Sequence, residues 1–173
     1  MLMSSLYRRS SASVPQPMTG ARLSCAGLLL LSILACTRDS VERAAVDQFP
    51  ARRPALDTIK AMSDEDSLFA RIALDFIDPI GVPPPMPIRR WERYRELFRR
   101  VHSDAGLVRR YDGSVLIFGR ESGILGNGAT YSYVYFPTAP SAEKVLPRLS
   151  VARPGSQFFR LLGGKWYLEQ DRF

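Results

Sequence analysis

Two cysteines, one histidine and three lysines are the scarcities that bound this chain of 173 residues. Cys25 and Cys36 both stand near the N-terminus, so the rest has no thiol for a disulfide or a thiolate zinc site. His102 is the sole histidine, which excludes a His-rich metal centre. No metal and no cofactor are therefore expected, and stability must come from an apolar core. Lysine is confined to Lys60, Lys144 and Lys165, so arginine carries nearly all of the positive charge. No apolar run reaches the roughly 20 residues of a membrane-spanning helix. The longest, from Leu23 to Ala35, is interrupted by Ser24, Cys25, Gly27 and Ser32. The chain contains no internal repeat and no low-complexity tract.

That apolar run ends in Ile33-Leu34-Ala35-Cys36, with Arg22 before it and small Ala35 at the position of cleavage. The segment resembles the lipobox of bacterial lipoproteins, in which a peptidase cuts before a cysteine that already carries lipid. The resemblance implies that residues 1–35 are a signal peptide and that Cys36 is the lipidated N-terminus. Met18, followed by Thr19-Gly20-Ala21-Arg22, offers a second start that makes a compact signal by itself. Thr37, being other than Asp, implies by the sorting rule of such lipoproteins an outer-membrane anchor facing the periplasm. Arg8, Arg9 and Arg22 leave with the signal, which lowers the formal charge from +7 to +4. The implied partners are the membrane, through the lipid on Cys36, and lipid headgroups or an acidic envelope component. Nucleic acid is not expected as a partner outside the cytoplasm. The oligomeric state is not legible.

Residues 36–56 read as the lipidated Cys and a flexible tether. Pro50 and Pro54 break any helix begun at Val41, and a flexible segment of this length holds a domain about 25 Å from the membrane. Residues 57–173 read as a single α+β domain. Ser63 is placed to cap a first helix, with Asp64, Glu65 and Asp66 in its first turn. Leu68, Phe69, Ile72, Ala73, Phe76 and Ile77 give that helix an apolar face, and Asp78-Pro79 ends it. Pro83-Pro84-Pro85 and Pro87 form a stiff spacer. A second helix over residues 88–103 carries the stripe Ile88, Trp91, Tyr94, Phe98 and Val101, with Leu97 beside it. Its other face holds six arginines against two glutamates.

From Gly106 the period changes to that of strands. Asp112-Gly113 marks a two-residue hairpin turn between strands over residues 107–111 and 114–119, Asn127-Gly128 marks a second hairpin, and Gly163-Gly164 marks a third. A two-residue turn at Gly163-Gly164 pairs Leu161 with Trp166 and Phe159 with Leu168, all on one face. The expected architecture is two N-terminal helices packed on an antiparallel sheet of about five to six strands built from hairpins. The alternative is a cone-like sheet with its helices in the concavity, enclosing a pocket. A Ser122-Gly123…Gly128 segment, an aromatic strand over residues 131–136 and a terminal Trp166-Tyr167-Leu168 resemble features of small uncharacterised proteobacterial envelope proteins. That resemblance implies a shared domain type and no activity.

No catalytic constellation is expected. His102-Ser103-Asp104 are sequence neighbours, whereas a triad needs side chains converging from separate elements. The glycines from Gly123 to Gly128 precede a strand rather than open a helix, which suits turns better than phosphate binding. Glu121, Glu143 and Glu169 lie on separate segments, so no acid pair can be assigned. Two surfaces remain as candidates for binding a partner: Arg89, Arg93 and Arg100 on the second helix, and Tyr131, Tyr133 and Tyr135 along one strand face. The tyrosines serve equally well as a face covered by the helices. The function read from this pattern is a non-enzymatic outer-membrane lipoprotein of binding or scaffolding type. The competing readings are an envelope hydrolase or small-ligand carrier with a pocket near His102, Glu121 and the tyrosines, and a lipidated inhibitor or immunity-type protein.

Overall fold

Among the described residues, seven antiparallel strands in the spatial order β2-β1-β3-β4-β5-β7-β6 form one sheet, and two helices pack against one of its faces. The structure, a computed structural model, describes residues 25–81, 85–122, 129–151 and 157–172. In chain order the elements are α1 (Cys25–Glu65), β1 (Phe69–Ile72), β2 (Ile77–Pro79), α2 (Ile88–Val101), β3 (Leu107–Arg109), β4 (Val115–Ser122), β5 (Ala129–Tyr135), β6 (Phe158–Gly163) and β7 (Trp166–Arg172). The mixed α+β class is as expected. The sheet has seven strands rather than five to six, and α2 follows the first hairpin instead of joining α1 ahead of the sheet.

Residues 37–56, expected to form a tether, lie within α1. Glu42, Phe49, Leu56, Ile59, Met62 and Ser63 are buried, and Ala45 and Arg52 are half-buried. These positions recur every three or four residues, which puts them on one helical face. Pro50 and Pro54 sit on the exposed side of that helix. Each proline removes one internal hydrogen bond. Burial of Phe49 on one side and of Leu56 and Ile59 on the other, at roughly 1.5–3 kcal/mol per large side chain, offsets that loss.

The first helix expected over residues 63–77 is the clearest departure. Ser63 belongs to the last turn of α1, where its hydroxyl donates to the Lys60 carbonyl oxygen, and caps nothing. Asp64, Glu65 and Asp66 therefore stand at a helix C-terminus, where the macrodipole disfavours them. Cations answer them: Lys60 meets Asp64, and Arg90 meets both Glu65 at 2.7 Å and Asp66 at 2.8 Å. Tyr94 also donates its hydroxyl to Asp66 at 2.8 Å. Burial and that bond both push the Tyr94 hydroxyl above its ordinary pKa. Beyond Asp66 the apolar residues build the hairpin β1–β2, and Ile72 pairs with Leu107 of β3. Trp91 Nε1 takes the Ala73 carbonyl at 2.9 Å, and Arg95 Nε takes that of Leu74 at 2.6 Å. Those carbonyls thus bond to α2 rather than within a helix of their own.

α2 matches its expected stripe. Tyr94, Leu97, Phe98 and Val101 are buried, Trp91 is half-buried, and Ile88 at the first turn is exposed. The sheet alternates cleanly. Val115, Ile117, Tyr131, Tyr133, Trp166 and Leu168 face the helices, while Leu116, Val134, Phe136, Phe159 and Tyr167 form a second cluster on the opposite face.

The Asp112-Gly113 hairpin forms, but with a three-residue loop closed by Arg110 and Ser114 in place of the expected two-residue turn, since Tyr111 joins the loop instead of the strand. Asp112 Oδ1 accepts from both the backbone N–H and the hydroxyl of Ser114. The Asn127-Gly128 turn lies outside the described residues, although Ser122 and Ala129 on either side of it are paired. The last hairpin forms with a different register. Leu161 pairs with Tyr167, Phe159 with Glu169, and Arg160 with Leu168. An irregularity between Leu161 and Gly163 shifts the turn to Gly164-Lys165. A one-residue slip moves side chains to the other face. Phe159 consequently packs with Phe136 and Tyr167, away from Trp166 and Leu168.

Candidate functional site

Three small residues on α1 leave a space between that helix and the sheet. Val41, Ala44 and Ala45 occupy the N-terminal half of the helix, where Phe49, Leu56 and Ile59 fill the interval further along. Opposite them the sheet contributes Gly119, whose backbone is so close to β5 that an added Cβ would stand 2.1 Å from the Tyr131 carbonyl oxygen. Ala105 borders the same space after α2. With too little side-chain volume to close it, a cleft of about 1200 Å³ opens between α1, the end of α2 and strands β4, β5 and β7. Small-molecule sites commonly span roughly 300–1,000 Å³.

The floor of the cleft includes Tyr131, Tyr133 and Leu168. Tyr131 and Tyr133 are only 1% and 2% exposed, so α1 covers these two rings. Tyr133 donates its hydroxyl to the Ala45 carbonyl at 3.0 Å and accepts from Arg52 at 3.1 Å. Burial raises its pKa against the opposing pull of Arg52. Tyr131 accepts from Gln170 Nε2 at 2.6 Å. Tyr135 lies further along, half-buried, with the Lys60 ammonium 4.6 Å from its ring centre and Trp166 packed edge-on.

Polar groups line the cleft from both helices and from the sheet, where Thr130 joins Ser40 and Gln48 of α1. Arg99, His102 and Asp104 line it at the end of α2, and Arg52 lines it from α1. The cleft therefore combines apolar walls with two guanidinium groups, one imidazole and one carboxylate. His102, a residue singled out in the sequence, shares this space with two of the three tyrosines. Glu121 pairs through its backbone with Thr130, and its side chain lies outside the described part.

The arginine face divides. Arg90 and Arg95 turn inward: Arg90 meets Asp66 and Glu65, and Arg95 lies 4.0 Å over the Trp91 ring. Arg93 and Arg100 both pair with Glu96, whose carboxyl is held below its usual range first by the hydrogen bond from Arg93. Arg89 is exposed. Arg93 and Arg100 also border a smaller groove of about 240 Å³ between the helices, together with Arg52 and Leu97. The structure thus places Arg93 and Arg100 at that groove and the tyrosines beneath α1, as separate features.

Ser103 is buried and donates its hydroxyl to the Gly106 carbonyl oxygen at 3.1 Å, so it does not serve His102 as a nucleophile. Glu169 is buried and bonds to Arg110 and Gln157. Among the described residues no group of three or more His, Cys, Asp or Glu side chains could hold a metal ion. No described helix is long and apolar enough to cross a membrane. Sequence reasoning missed Arg52 and Ala44. Their only signal was the spacing of Val41, Ala45, Phe49, Arg52 and Leu56 along one helical face. No family model, no curated protein and no solved structure matches this chain.

Proposed function

We propose that this is a lipid-anchored protein of the bacterial cell envelope, held at the outer membrane through Cys36, that works by binding rather than catalysis. Its ligand is a small amphipathic molecule held in the cleft between α1 and the sheet. The observation that carries this reading is the cleft of about 1200 Å³, whose lining joins apolar residues of α1 and the sheet to the charged groups Arg52, Arg99 and Asp104. An apolar body with a polar head suits a lining of both kinds. The sequence Ile33-Leu34-Ala35-Cys36 supports the anchor.

The helical backbone of residues 37–56 adds a spatial argument. Ser40, at the border of the cleft, follows Cys36 by four residues on the same helix. A helix rises about 1.5 Å per residue, so the anchor and the cleft are about one turn apart. A domain carried that way rests at the bilayer surface, where amphipathic molecules partition. The alternative surface, the arginines of α2, is less favoured because Arg90 and Arg95 face inward and Glu96 answers Arg93 and Arg100.

Two measurements test the parts separately. Intact mass of the membrane-extracted protein, wild type beside Cys36→Ser, should show an acylated product beginning at Cys36 that the variant lacks. A full-length, unacylated wild type refutes the anchor. For the cleft, an uncharged diazirine-bearing dodecanol is photolysed with the full chain in its membrane, and the adducts are mapped. Labelling should fall on residues 40–52 and 130–133 and disappear in Ala44→Trp, which fills the space. Labelling confined to other segments refutes the binding site.

A further inference from the structure

We infer that His102 is the head-group recognition residue of the cleft, and that the ligand is an amphipathic anion: an apolar body carrying one carboxylate or phosphate. This inference rests on the cleft being a binding site. It names the chemistry that the site selects.

The backbone at His102 is the starting point. α2 ends in a Schellman arrangement, with the His102 N–H on the Arg99 carbonyl at 3.2 Å and the Ser103 N–H on the Phe98 carbonyl at 2.9 Å. The residue at this position adopts φ 56° and ψ 45°, the left-handed region that glycine enters without steric cost. Among the described residues His102 is the only non-glycine with positive φ. Gly81, Gly106, Gly113 and Gly164, the comparable turns, all use glycine. A side chain kept at the one position where its absence would relieve strain points to a task for that side chain. Its imidazole borders the cleft.

The helix dipole does not supply that task. Arg99 and Arg100 already place two cations in the last turn of α2. Packing does not supply it either, since His102 is exposed. The neighbours define what the imidazole meets. Arg99 and Arg52 line the same cleft and Asp104 opposes them, which leaves two fixed positive charges against one negative. Arg52 is already braced by the Tyr133 hydroxyl at 3.1 Å, so its position is set before any ligand arrives. An imidazole N–H donates to an anionic oxygen in either protonation state, and guanidinium groups bind carboxylate and phosphate strongly. The apolar lining, formed by Val41, Ala44, Ala45, Leu168 and the tyrosine rings, receives the apolar body.

The test uses the full chain in its membrane with three diazirine probes of equal chain length: dodecanoic acid, dodecyl phosphate and dodecanol. In the wild type one or both acidic probes should label the cleft segments at lower concentration than the alcohol. Their relative strength then distinguishes a carboxylate head from a phosphate head. His102→Gly should weaken acidic labelling about tenfold, the loss expected for one hydrogen bond to a charged group. Alcohol labelling should be unchanged, and thermal stability equal or higher, because glycine relieves the strain. His102→Asn, which tolerates the same backbone and keeps an N–H donor, should retain part of the preference. Equal labelling by acid and alcohol in the wild type overturns the inference, as does an undiminished preference in His102→Gly. Absence of all three probes from the cleft refutes the binding site itself, a different outcome from loss of selectivity alone.

Discussion

Replacing Glu42 with alanine tests whether the N-terminal half of α1 is docked on the domain or is a free tether. The Glu42 side chain is 4% exposed and accepts from three donors. These are the backbone N–H groups of Leu149 and Ser150, each at 3.0 Å, and the Arg160 guanidinium at 2.8 Å. Alanine removes the oxygens that all three groups bond to. Hydrogen bonds to a charged group contribute about 1.5–3 kcal/mol each. The three share one carboxylate and do not add, and Arg160, at 29% exposure, regains some hydration once released. Deleting one partner of a buried ion pair costs about 3–5 kcal/mol, which is the loss expected here. Glu42→Gln keeps one acceptor oxygen but turns an amide N–H₂ toward donors, for a loss of about 2 kcal/mol. Equilibrium urea unfolding measures both, and a slope of roughly 1–3 kcal/mol/M puts the midpoint of Glu42→Ala about 2 M lower. A change below about 1 kcal/mol would mean that residues 40–48 are not held by Leu149, Ser150 and Arg160, and the tether reading would stand.

Three further outcomes follow from individual geometries. Gly106→Ala places a methyl group 2.1 Å from the Ile72 carbonyl oxygen at φ +77°. It should cost about 3 kcal/mol or more in thermal unfolding, with faster amide exchange along β1 and β3. Tyr133→Phe removes the hydroxyl shared by Arg52 and the Ala45 carbonyl, for an expected loss of about 1–2 kcal/mol in the same assay. The Asp112 carboxyl is held below its ordinary value of 3.8, first by the Ser114 hydroxyl and then by the Ser114 backbone N–H. A carboxylate with a depressed folded pKa contributes stability above its unfolded pKa and loses it as pH falls through the folded value. The stability advantage of wild type over Asp112→Asn should therefore be full at neutral pH and fade below about pH 4, as urea midpoints across that range will show.

The candidate site was legible in part. His102 and the tyrosines were visible as residue types, and the covering of the tyrosines by helix was one of two open readings. Their convergence on one cleft was not visible, because the space is made by what is small: Ala44, Ala45, Ala105 and Gly119 carry no signal of their own in a linear pattern. The left-handed backbone of His102 was equally hidden, since the usual mark of that conformation is a glycine.

Local chemistry alone determined α2, whose apolar stripe has a helical period and too few polar interruptions to be read otherwise. It determined the turn at Asp112-Gly113, where the short carboxylate bonds two residues ahead and glycine takes positive φ. The lack of thiols beyond Cys36 likewise excluded any covalent staple for the domain. Tertiary structure decided the rest of α1 and the first hairpin. Glu42 and Arg52 break the apolar face of α1 in sequence, yet each is satisfied by a partner 81 to 118 residues away. The apolar residues between Leu68 and Ile77 fit a helix as well as a hairpin. What selects the hairpin is a neighbour, β3, offering a free strand edge, and α2, whose Trp91 and Arg95 take the carbonyls that a helix would have used.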